Sequence, residues 1–238
     1  MLPLFRRRQV WIPTVWSTLL LLTLVTLAVI WMAHHAYAFL APTEPARGRD
    51  GTGARTLVVE GWLDAAELDQ AIAATRRGRY RQVVVSGGPF DDWPDGQRFA
   101  NYADRAADYL RRHGLDALPV AAVPAPASAQ DRTYLSALVI RDWAARTGTT
   151  LEAIDLFSSG VHAYRSRIVF RMALGPDVEV GVIAARPLRF EADRWWTTSA
   201  GTKAVIGEAL SVAWTRCCFW PAPHGSFSER WGIPEPAR

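Results

Sequence analysis

The sequence has very few cysteines. Its two cysteines, Cys217 and Cys218, are neighbours, so the chain lacks the disulfide framework that stabilises many small secreted domains. A disulfide between adjacent residues is rare because its geometry is strained. We therefore expect two small buried side chains at a helix end, with an intermolecular bridge or a membrane-adjacent thiol as the alternatives.

Several sequence motifs that are typical of particular classes of enzyme are also absent. No strand end carries G-x-G-x-x-G or G-x-x-x-x-G-K-[ST], which argues against a dinucleotide-dependent enzyme and a P-loop NTPase. G-x-S-x-G is missing, so no serine is marked as the nucleophile of a hydrolase. No spacing of histidines, cysteines and carboxylates indicates a metal site. The sequence predicts neither a cofactor nor a metal.

The charge outside the N-terminal region is close to balance. Residues 6 to 8 hold three of the 27 basic residues, which leaves 24 basic against 23 acidic residues in the rest of the chain. The isoelectric point near 9.4 therefore does not reflect a basic patch on the main domain. We expect no nucleic-acid partner.

A long N-terminal segment lacks charge altogether. Residues 9 to 43 contain no Asp, Glu, Lys or Arg, and Leu, Val, Ile, Thr and Trp dominate residues 11 to 33. About 20 such residues span a bilayer as a helix. The arginines flank only its N-terminal side, and positive flanks remain in the cytoplasm. We predict a cytoplasmic N-terminus over residues 1 to 10 and a transmembrane anchor over 11 to 33.

This topology predicts a protein of the bacterial inner (plasma) membrane, with the lipid bilayer as partner of the N-terminal helix and the main domain in the periplasm or on the outer face. A cleaved signal peptide is the competing interpretation, because Ala36, Tyr37 and Ala38 have the small-x-small form of a cleavage site. The apolar stretch exceeds the roughly 7 to 15 residues usual in a signal peptide, which favours a retained anchor.

After a linker over residues 34 to 55, short apolar strands alternate with helices. Strands are predicted at 56–61, 82–88, 118–126, 153–159 and 178–185, and helices at 64–78, 97–112, 131–146, 162–174 and 202–216. Continuously apolar strands with helices between them are typical of a mainly parallel sheet covered on both faces. We predict one five-stranded α/β domain over residues 56 to 218 and a tail rich in proline and aromatics over 219 to 238.

Polar side chains follow several of these strands. In an open parallel sheet, ligands bind beyond the carboxyl ends of the strands. The candidate ligand-binding residues there are Ser86, Gly87, Gly88, Arg132, Thr133, Ser158, Ser159 and Arg165. Glu60, Trp62 and Glu208 are candidate supporting residues.

Two arginines at helix starts indicate an anion site. If a helix begins near Val161, Arg165 continues its core-facing stripe into the first turn, where a buried guanidinium must enter the cleft or pair with a carboxylate. Arg132 has the equivalent place on the preceding helix. Two arginines beside a helix N-terminus suit a phosphate or carboxylate. The alternative is structural pairing with Glu60, Asp131 or Glu208.

His162 is the candidate general acid or base. It precedes Arg165 by three residues, and histidine as a residue type titrates near neutral pH. A helix-capping histidine is the alternative, since no Asp or Glu lies close in sequence to orient the ring. Serines after strands are more often caps than nucleophiles. Arg167 falls on the opposite helix face, and we expect it to be solvated.

The sequence contains, in order, the blocks VVEGW, AELDQAIAATRRGRYRQVVVSGG, DRTYLSAL, SSGVHAYRSRIVF and RWWTTSAGTKAVIGEAL, within residues 56 to 216. In this series it resembles the YdcF-like family of bacterial envelope proteins, the group that includes SanA and ElyC. The resemblance implies a Rossmann-like three-layer domain and a role in envelope biogenesis or barrier integrity. It supplies no reaction, because the biochemical activity of that family is not settled.

The family motifs match in part. Those that agree are the strand-end S-G-G at Ser86, Gly87 and Gly88, and the helix start with Ser158, His162 and Arg165. In the N-T-x-E-N-A-like helix start, Thr133 and Ala137 agree, whereas the Asn, Glu and Asn are replaced by Arg132, Leu135 and Ser136. An acidic residue usual after S-G-G is missing, with Tyr102 near its place. These losses imply different chemistry or none.

We therefore expect a single-pass membrane protein whose outer domain binds an anionic envelope precursor or lipid-linked phosphate. Arg165, Arg132 and the S-G-G backbone would hold the anion, and His162 would transfer a proton during hydrolysis or transfer. A non-catalytic binding or scaffold module for envelope assembly is the alternative, and the lost acidic residues favour it.

Overall fold

The structure is a computed structural model that describes residues 13–90, 98–127 and 131–223, with residues 225, 226 and 229. The predicted cytoplasmic segment over residues 1 to 10 and most of the predicted tail lie outside the described residues. Residue 97, where one helix is predicted to begin, lies outside them as well.

Helices and strands alternate along the chain. The helices are α1 (Val15–Leu40), α2 (Ala65–Arg77), α3 (Tyr102–Arg112), α4 (Arg132–Thr147), α5 (Ala163–Leu174) and α6 (Ser199–Cys218). The strands are β1 (Thr43–Glu44), β2 (Thr56–Glu60), β3 (Gln82–Gly87), β4 (Val120–Pro124), β5 (Ala153–Ser158) and β6 (Glu179–Ala184). Short 3-10 segments, Gly160–His162 and Ala192–Thr197, precede α5 and α6.

The strands form one mostly parallel sheet in the order β1-β6-β5-β2-β3-β4. Only β1 runs antiparallel to its neighbour. The chain builds outward from β2 through β3 to β4 and then crosses to β5 on the other side of β2. In such sheets, the crevice at this reversal, beyond the carboxyl ends of the strands, is the usual ligand site.

The strands are apolar throughout because helices cover both faces of the sheet. Val58 and Val84 pack in a cluster with α4 and α5, whereas Leu57 and Val83 pack in a cluster with α2 and α3. Neighbouring side chains of a strand point to opposite faces, so both faces require apolar residues. The prediction of a mainly parallel sheet between helices is confirmed.

The N-terminal helix continues beyond the predicted anchor. α1 is a 26-residue helix that is long and apolar enough to cross a membrane. Its last two turns pack on the domain: Leu40 is buried in a cluster with Val161 and Trp195, and Nε1 of Trp195 donates to the carbonyl oxygen of Ala33 at 2.8 Å. The prediction of a linker beginning at residue 34 is wrong, because this end of the helix has partners in the domain.

A second part of the predicted linker joins the sheet. Thr43 and Glu44 form β1 along the edge of β6, so the sheet has six strands rather than the predicted five. Arg167, which we expected to be solvated, is 9% exposed, and its Nη1 donates to the carboxylate of Glu44. The expectation is wrong because β1, a two-residue strand without a sequence signal, brings the carboxylate to this face.

The two cysteines also differ from expectation. Cys217 and Cys218 are joined by a disulfide at the end of α6, and both residues are exposed. Near the end of α6 only Thr215 is buried, so the expectation that both cysteines are buried is wrong.

Gly181→Ala should destabilise the fold, because the chain after β1 lies directly against β6. A Cβ at Gly181 would overlap the backbone nitrogen of Ala46 and Oδ1 of Asp155. These two atoms share a buried hydrogen bond of 2.6 Å, so neither can move without loss. We expect the free energy of unfolding to fall by about 1–3 kcal/mol.

Gly207→Ala is the matched control, since a Cβ there would meet no atom within 4 Å. Alanine in a helix should keep the stability or raise it by up to about 1 kcal/mol. Thermal unfolding of the full chain in detergent, followed by circular dichroism, measures both variants. Equal melting temperatures for the two variants would contradict the packing of Ala46 on β6.

Candidate functional site

A cleft of about 850 Å³ opens at the carboxyl edge of the sheet. Its residues follow β2, β3 and β4 or belong to the starts of α4 and α5 and the end of α6. Nine residues predicted from the sequence line it: Glu60, Trp62, Ser86, Gly87, Gly88, Arg132, Thr133, His162 and Arg165. These nine residues therefore lie together at the edge of the sheet that the topological rule selects.

Glu60 forms the buried floor of the cleft where β2 meets β5. The residue is 4% exposed, and its carboxylate accepts hydrogen bonds from Oγ of Ser158 at 2.5 Å and from Oγ of Ser166 at 2.8 Å. A buried carboxylate without such donors would be costly. The two hydroxyls thus fix the ends of β2 and β5 and the first turn of α5 to one another.

His162 lies above this floor and is oriented by a carboxylate from α6. Its Nδ1 is 2.8 Å from Oε1 of Glu208, and the edge of its ring meets Trp62 with the ring centroids 5.2 Å apart. Nε2 lies 3.9 Å from Oε1 of Glu60, which is too long for a hydrogen bond. No Asp or Glu lies close to His162 in the sequence, but Glu208 from the distant helix α6 orients its ring.

Arg165 shares the same carboxylate. Its Nε donates to Oε2 of Glu208 at 2.9 Å, and its Nη2 lies 3.3 Å from Oε1. Arg165 and Glu208 therefore form an ion pair. This is the structural alternative that the sequence left open. Nη1 makes no hydrogen bond within the described part of the chain, and the residue lines the cleft, so Arg165 retains a donor for a ligand.

The carboxylate of Glu208 is the acceptor shared by the cluster. Burial raises the pKa of its carboxyl, but hydrogen bonds from His162 and Arg165 outweigh burial and hold the pKa at about 2. An ionised carboxylate only accepts hydrogen bonds, so in the bond to Glu208 His162 acts as the donor through Nδ1. Nη2 of Arg165 lies 2.9 Å from Nδ1 and 3.4 Å from Nε2, and a guanidinium only donates, so Nε2 is the ring nitrogen left to accept from it.

Arg132 and Thr133 line the opposite wall at the start of α4. Asp131, which precedes them, adopts a left-handed backbone conformation with φ 51° and its side chain forms no capping hydrogen bond. Asp131 also lines the cleft, and burial raises the pKa of its carboxyl. The wall therefore combines a guanidinium, a hydroxyl and helix N–H groups with one carboxylate.

The Ser86-Gly87-Gly88 turn is shaped by packing against α3. A Cβ at Gly87 would lie 2.8 Å from Cβ of Tyr102, and the Tyr102 N–H donates to the carbonyl oxygen of Gly88 at 2.9 Å. A Cβ at Gly88 would meet no atom closer than 3.8 Å. Gly87 is thus required by the fold, whereas Gly88 leaves open space toward the cleft.

The predicted ligand-binding serines after β5 do not line the cleft. Ser158 is fully buried and donates to Glu60, and Ser159 donates to the carboxylate of Glu67. Both hydroxyls are used inside the fold, in agreement with the commoner structural use of serine after a strand.

The residues that form the outer wall of the cleft were not among those predicted from the sequence. They are Trp214 and Thr215 from α6, and Phe219, which lies in the predicted tail. Glu208 was the only residue of α6 selected from the sequence. The sequence does contain one indication of this wall. Residues 208 and 215 lie two helical turns apart on one face of a helix, so a helix that brings Glu208 to the cleft also brings Thr215.

Among the described residues, no group of three or more His, Cys, Asp or Glu side chains could hold a metal ion. Comparisons of the chain with models of protein families, with curated proteins and with solved structures gave no match. The functional argument therefore depends on the residues of the cleft.

Glu208→Gln should lower stability at neutral pH, because the neutral amide loses its charge-assisted bonds to His162 and Arg165. We expect a loss of about 1–3 kcal/mol. The pKa of Glu208 is depressed from 4.5 to about 2, so its contribution is present above pH 4.5 and is lost as the pH falls from 4.5 toward 2. The variant should lack this part of the acid-induced loss.

Glu152→Gln is the control, since Glu152 is exposed and its side chain makes no hydrogen bond in the described part of the chain. Chemical denaturation of the full chain between pH 2.5 and pH 7 measures both variants. Parallel stability curves for wild type and Glu208→Gln would show that Glu208 is not an ionised partner of His162 and Arg165.

Proposed function

We propose that the protein is a single-pass membrane protein whose outer domain binds an anionic, phosphate-bearing precursor of the cell envelope and transfers a proton to or from it. The observation that carries the proposal is the pair of His162, which lines the cleft, and Glu208 behind it, with Nδ1 held at 2.8 Å from the carboxylate. A histidine held in this way is oriented for general acid or base chemistry at its other nitrogen.

The cations around the cleft support an anionic ligand. Arg165 lines the cleft, and its Nη1 makes no hydrogen bond within the described part of the chain, whereas Arg132 lines the facing wall at the N-terminus of α4. Helix N-termini and guanidinium groups both favour phosphate oxygens. A phosphate bound in the cleft would lie between Arg165, which also pairs with Glu208, and Arg132 with the backbone N–H groups at the start of α4.

The proposed reaction is the cleavage of a phosphate ester. An acceptor oxygen, from water in hydrolysis or from a second hydroxyl in transfer, attacks phosphorus and gives its proton to Nε2 of His162. The bond between phosphorus and the leaving oxygen breaks, and the leaving oxygen takes the proton from His162 or from solvent.

The membrane and envelope parts of the proposal have separate support. α1 has the length and apolar character of a membrane span. Ala36, Tyr37 and Ala38 are helical rather than extended, and Ala36 and Tyr37 pack against the domain. A retained anchor suits this arrangement better than a cleaved leader. The role in the envelope is taken from the resemblance to the YdcF-like family.

A non-catalytic binding module is the second candidate, and the serines favour it. Ser86, Ser158, Ser159 and Ser166 all donate to protein acceptors. None of these four hydroxyls is left as a nucleophile. Binding without turnover would use the same arginines and the same walls.

His162→Gln should abolish turnover and leave ligand binding nearly unchanged. Loss of a general acid or base lowers the rate by about 10²- to 10⁴-fold. The full chain in detergent or nanodiscs would be assayed with p-nitrophenyl phosphate and with phosphorylated lipids and sugars.

His113→Gln is the control, because His113 is exposed at the end of α3. Turnover equal in both variants would refute the role of His162, and binding without any wild-type turnover would establish the second candidate.

Arg132→Ala should weaken the binding of the same phosphorylated ligands by about 10- to 100-fold, since a charge-assisted hydrogen bond is worth about 1.5–3 kcal/mol. Arg146→Ala is the control, because Arg146 is exposed in the last turn of the same helix. Isothermal titration calorimetry measures both affinities. If the two variants bind equally well, the anion does not lie at the start of α4.

A further inference from the structure

The anchor helix reaches the domain at the same edge of the sheet as the cleft. β1 follows α1 and runs antiparallel to β6, with Thr43 paired to Ile183 and Glu44 to Val182. The chain therefore enters the sheet from the carboxyl end of β6. The side chain of Tyr37 lies beside Gly160, 3.6 Å from an ideal Cβ there, in the turn that carries His162. The cleft and the anchor thus share one side of the domain.

The length of α1 places this side close to the bilayer. About 20 helical residues cross the hydrocarbon region, so a span that begins at Val15 ends near His34. Leu40, the last residue of α1, follows after about 9 Å of helix at 1.5 Å per residue. The carboxyl edge of the sheet therefore lies within roughly 10 Å of the level at which α1 leaves the hydrocarbon.

One segment of the domain contacts α1 at this level. We call residues 186–197, between β6 and α6, the interfacial segment. Within it, Nε1 of Trp195 donates to the carbonyl oxygen of Ala33 at 2.8 Å, and the ring of Trp196 lies 4.9 Å from that of His34. The segment is thus held at the depth of residues 33 and 34 by direct contacts.

The exposed side chains of the interfacial segment have the composition of a membrane interface. Leu188 is 62% exposed and Trp196 is 39% exposed. The exposed charges of the segment are Arg186, Arg189 and Arg194 with Glu191 and Asp193, three positive against two negative. Tryptophan prefers the headgroup region of a bilayer, and arginine directs its charge toward lipid phosphates while its stem covers apolar surface. Exposed leucine and tryptophan at this depth are unfavourable in water and favourable in the interface.

We propose that the interfacial segment contacts the outer headgroup region of the bilayer that holds α1, so that the cleft opens onto the membrane surface. The occupant of this surface is the lipid bilayer, because the segment is continuous with the end of the anchor and fixed to it at Ala33 and His34. The proposal depends on the membrane anchoring in the proposed function, but not on any reaction in the cleft.

The test uses a fluorescent label on the full chain in liposomes. In a background with Cys217→Ser and Cys218→Ser, Leu188→Cys carries a nitrobenzoxadiazole label, and nitroxide lipids labelled at the headgroup serve as quenchers. The control is the same label at Ala145→Cys, an exposed position near the end of α4, at the opposite edge of the sheet. Thr197→Cys, also exposed, is a second site in the interfacial segment. Circular dichroism verifies that each variant folds.

We expect at least fivefold stronger headgroup quenching at residues 188 and 197 than at residue 145, with blue-shifted emission. Equal weak quenching at all three sites, with the protein resistant to alkaline carbonate extraction, overturns the interfacial contact and leaves the anchor intact. Release by carbonate overturns the anchor and the contact together. The emission could instead shift to the blue without headgroup quenching, with a shift that grows with the ratio of protein to lipid. That result shows that a second copy of the chain covers the segment, and it also overturns the proposal.

Discussion

The arrangement of the cleft depends on the carboxylate of Glu208. It is the common acceptor for His162 on the turn after β5 and for Arg165 on α5, and it therefore fixes α6 to both. α6 also supplies Trp214 and Thr215 to the outer wall, so the same contacts fix that wall relative to α5. Hydrogen bonds from His162 and Arg165 outweigh the cost of burying the charge of Glu208 and depress its pKa.

A second carboxylate, Glu60, is stabilised differently. Its partners are two neutral hydroxyls, Ser158 and Ser166, which tie together the two strands where the chain reverses direction. Hydroxyl donors satisfy a buried carboxylate without cancelling its charge. His162 lies between the two carboxylates, with Nδ1 2.8 Å from Oε1 of Glu208 and Nε2 3.9 Å from Oε1 of Glu60. The ring is therefore fixed by a hydrogen bond at Nδ1 only on the side of Glu208.

The sequence located the strands and most of the cleft for physical reasons. A strand covered on both faces must be apolar throughout, and parallel strands bring their carboxyl ends to one edge, so Glu60, Ser86 and His162 could be placed together. The two-residue strand β1 could not be found, because it is too short to show a period. The burial of Arg167 was missed for the same reason, since its partner Glu44 belongs to β1.

By itself, the sequence determined the α/β class, the apolar N-terminal helix and the set of side chains at the strand ends, because these follow from local patterns of apolar residues and turns. Only the tertiary structure decided that Glu208, 46 residues from His162 in the chain, orients its ring. It also decided that α1 packs on the cleft side of the domain. Both outcomes depend on contacts between elements far apart in sequence, which no local pattern encodes.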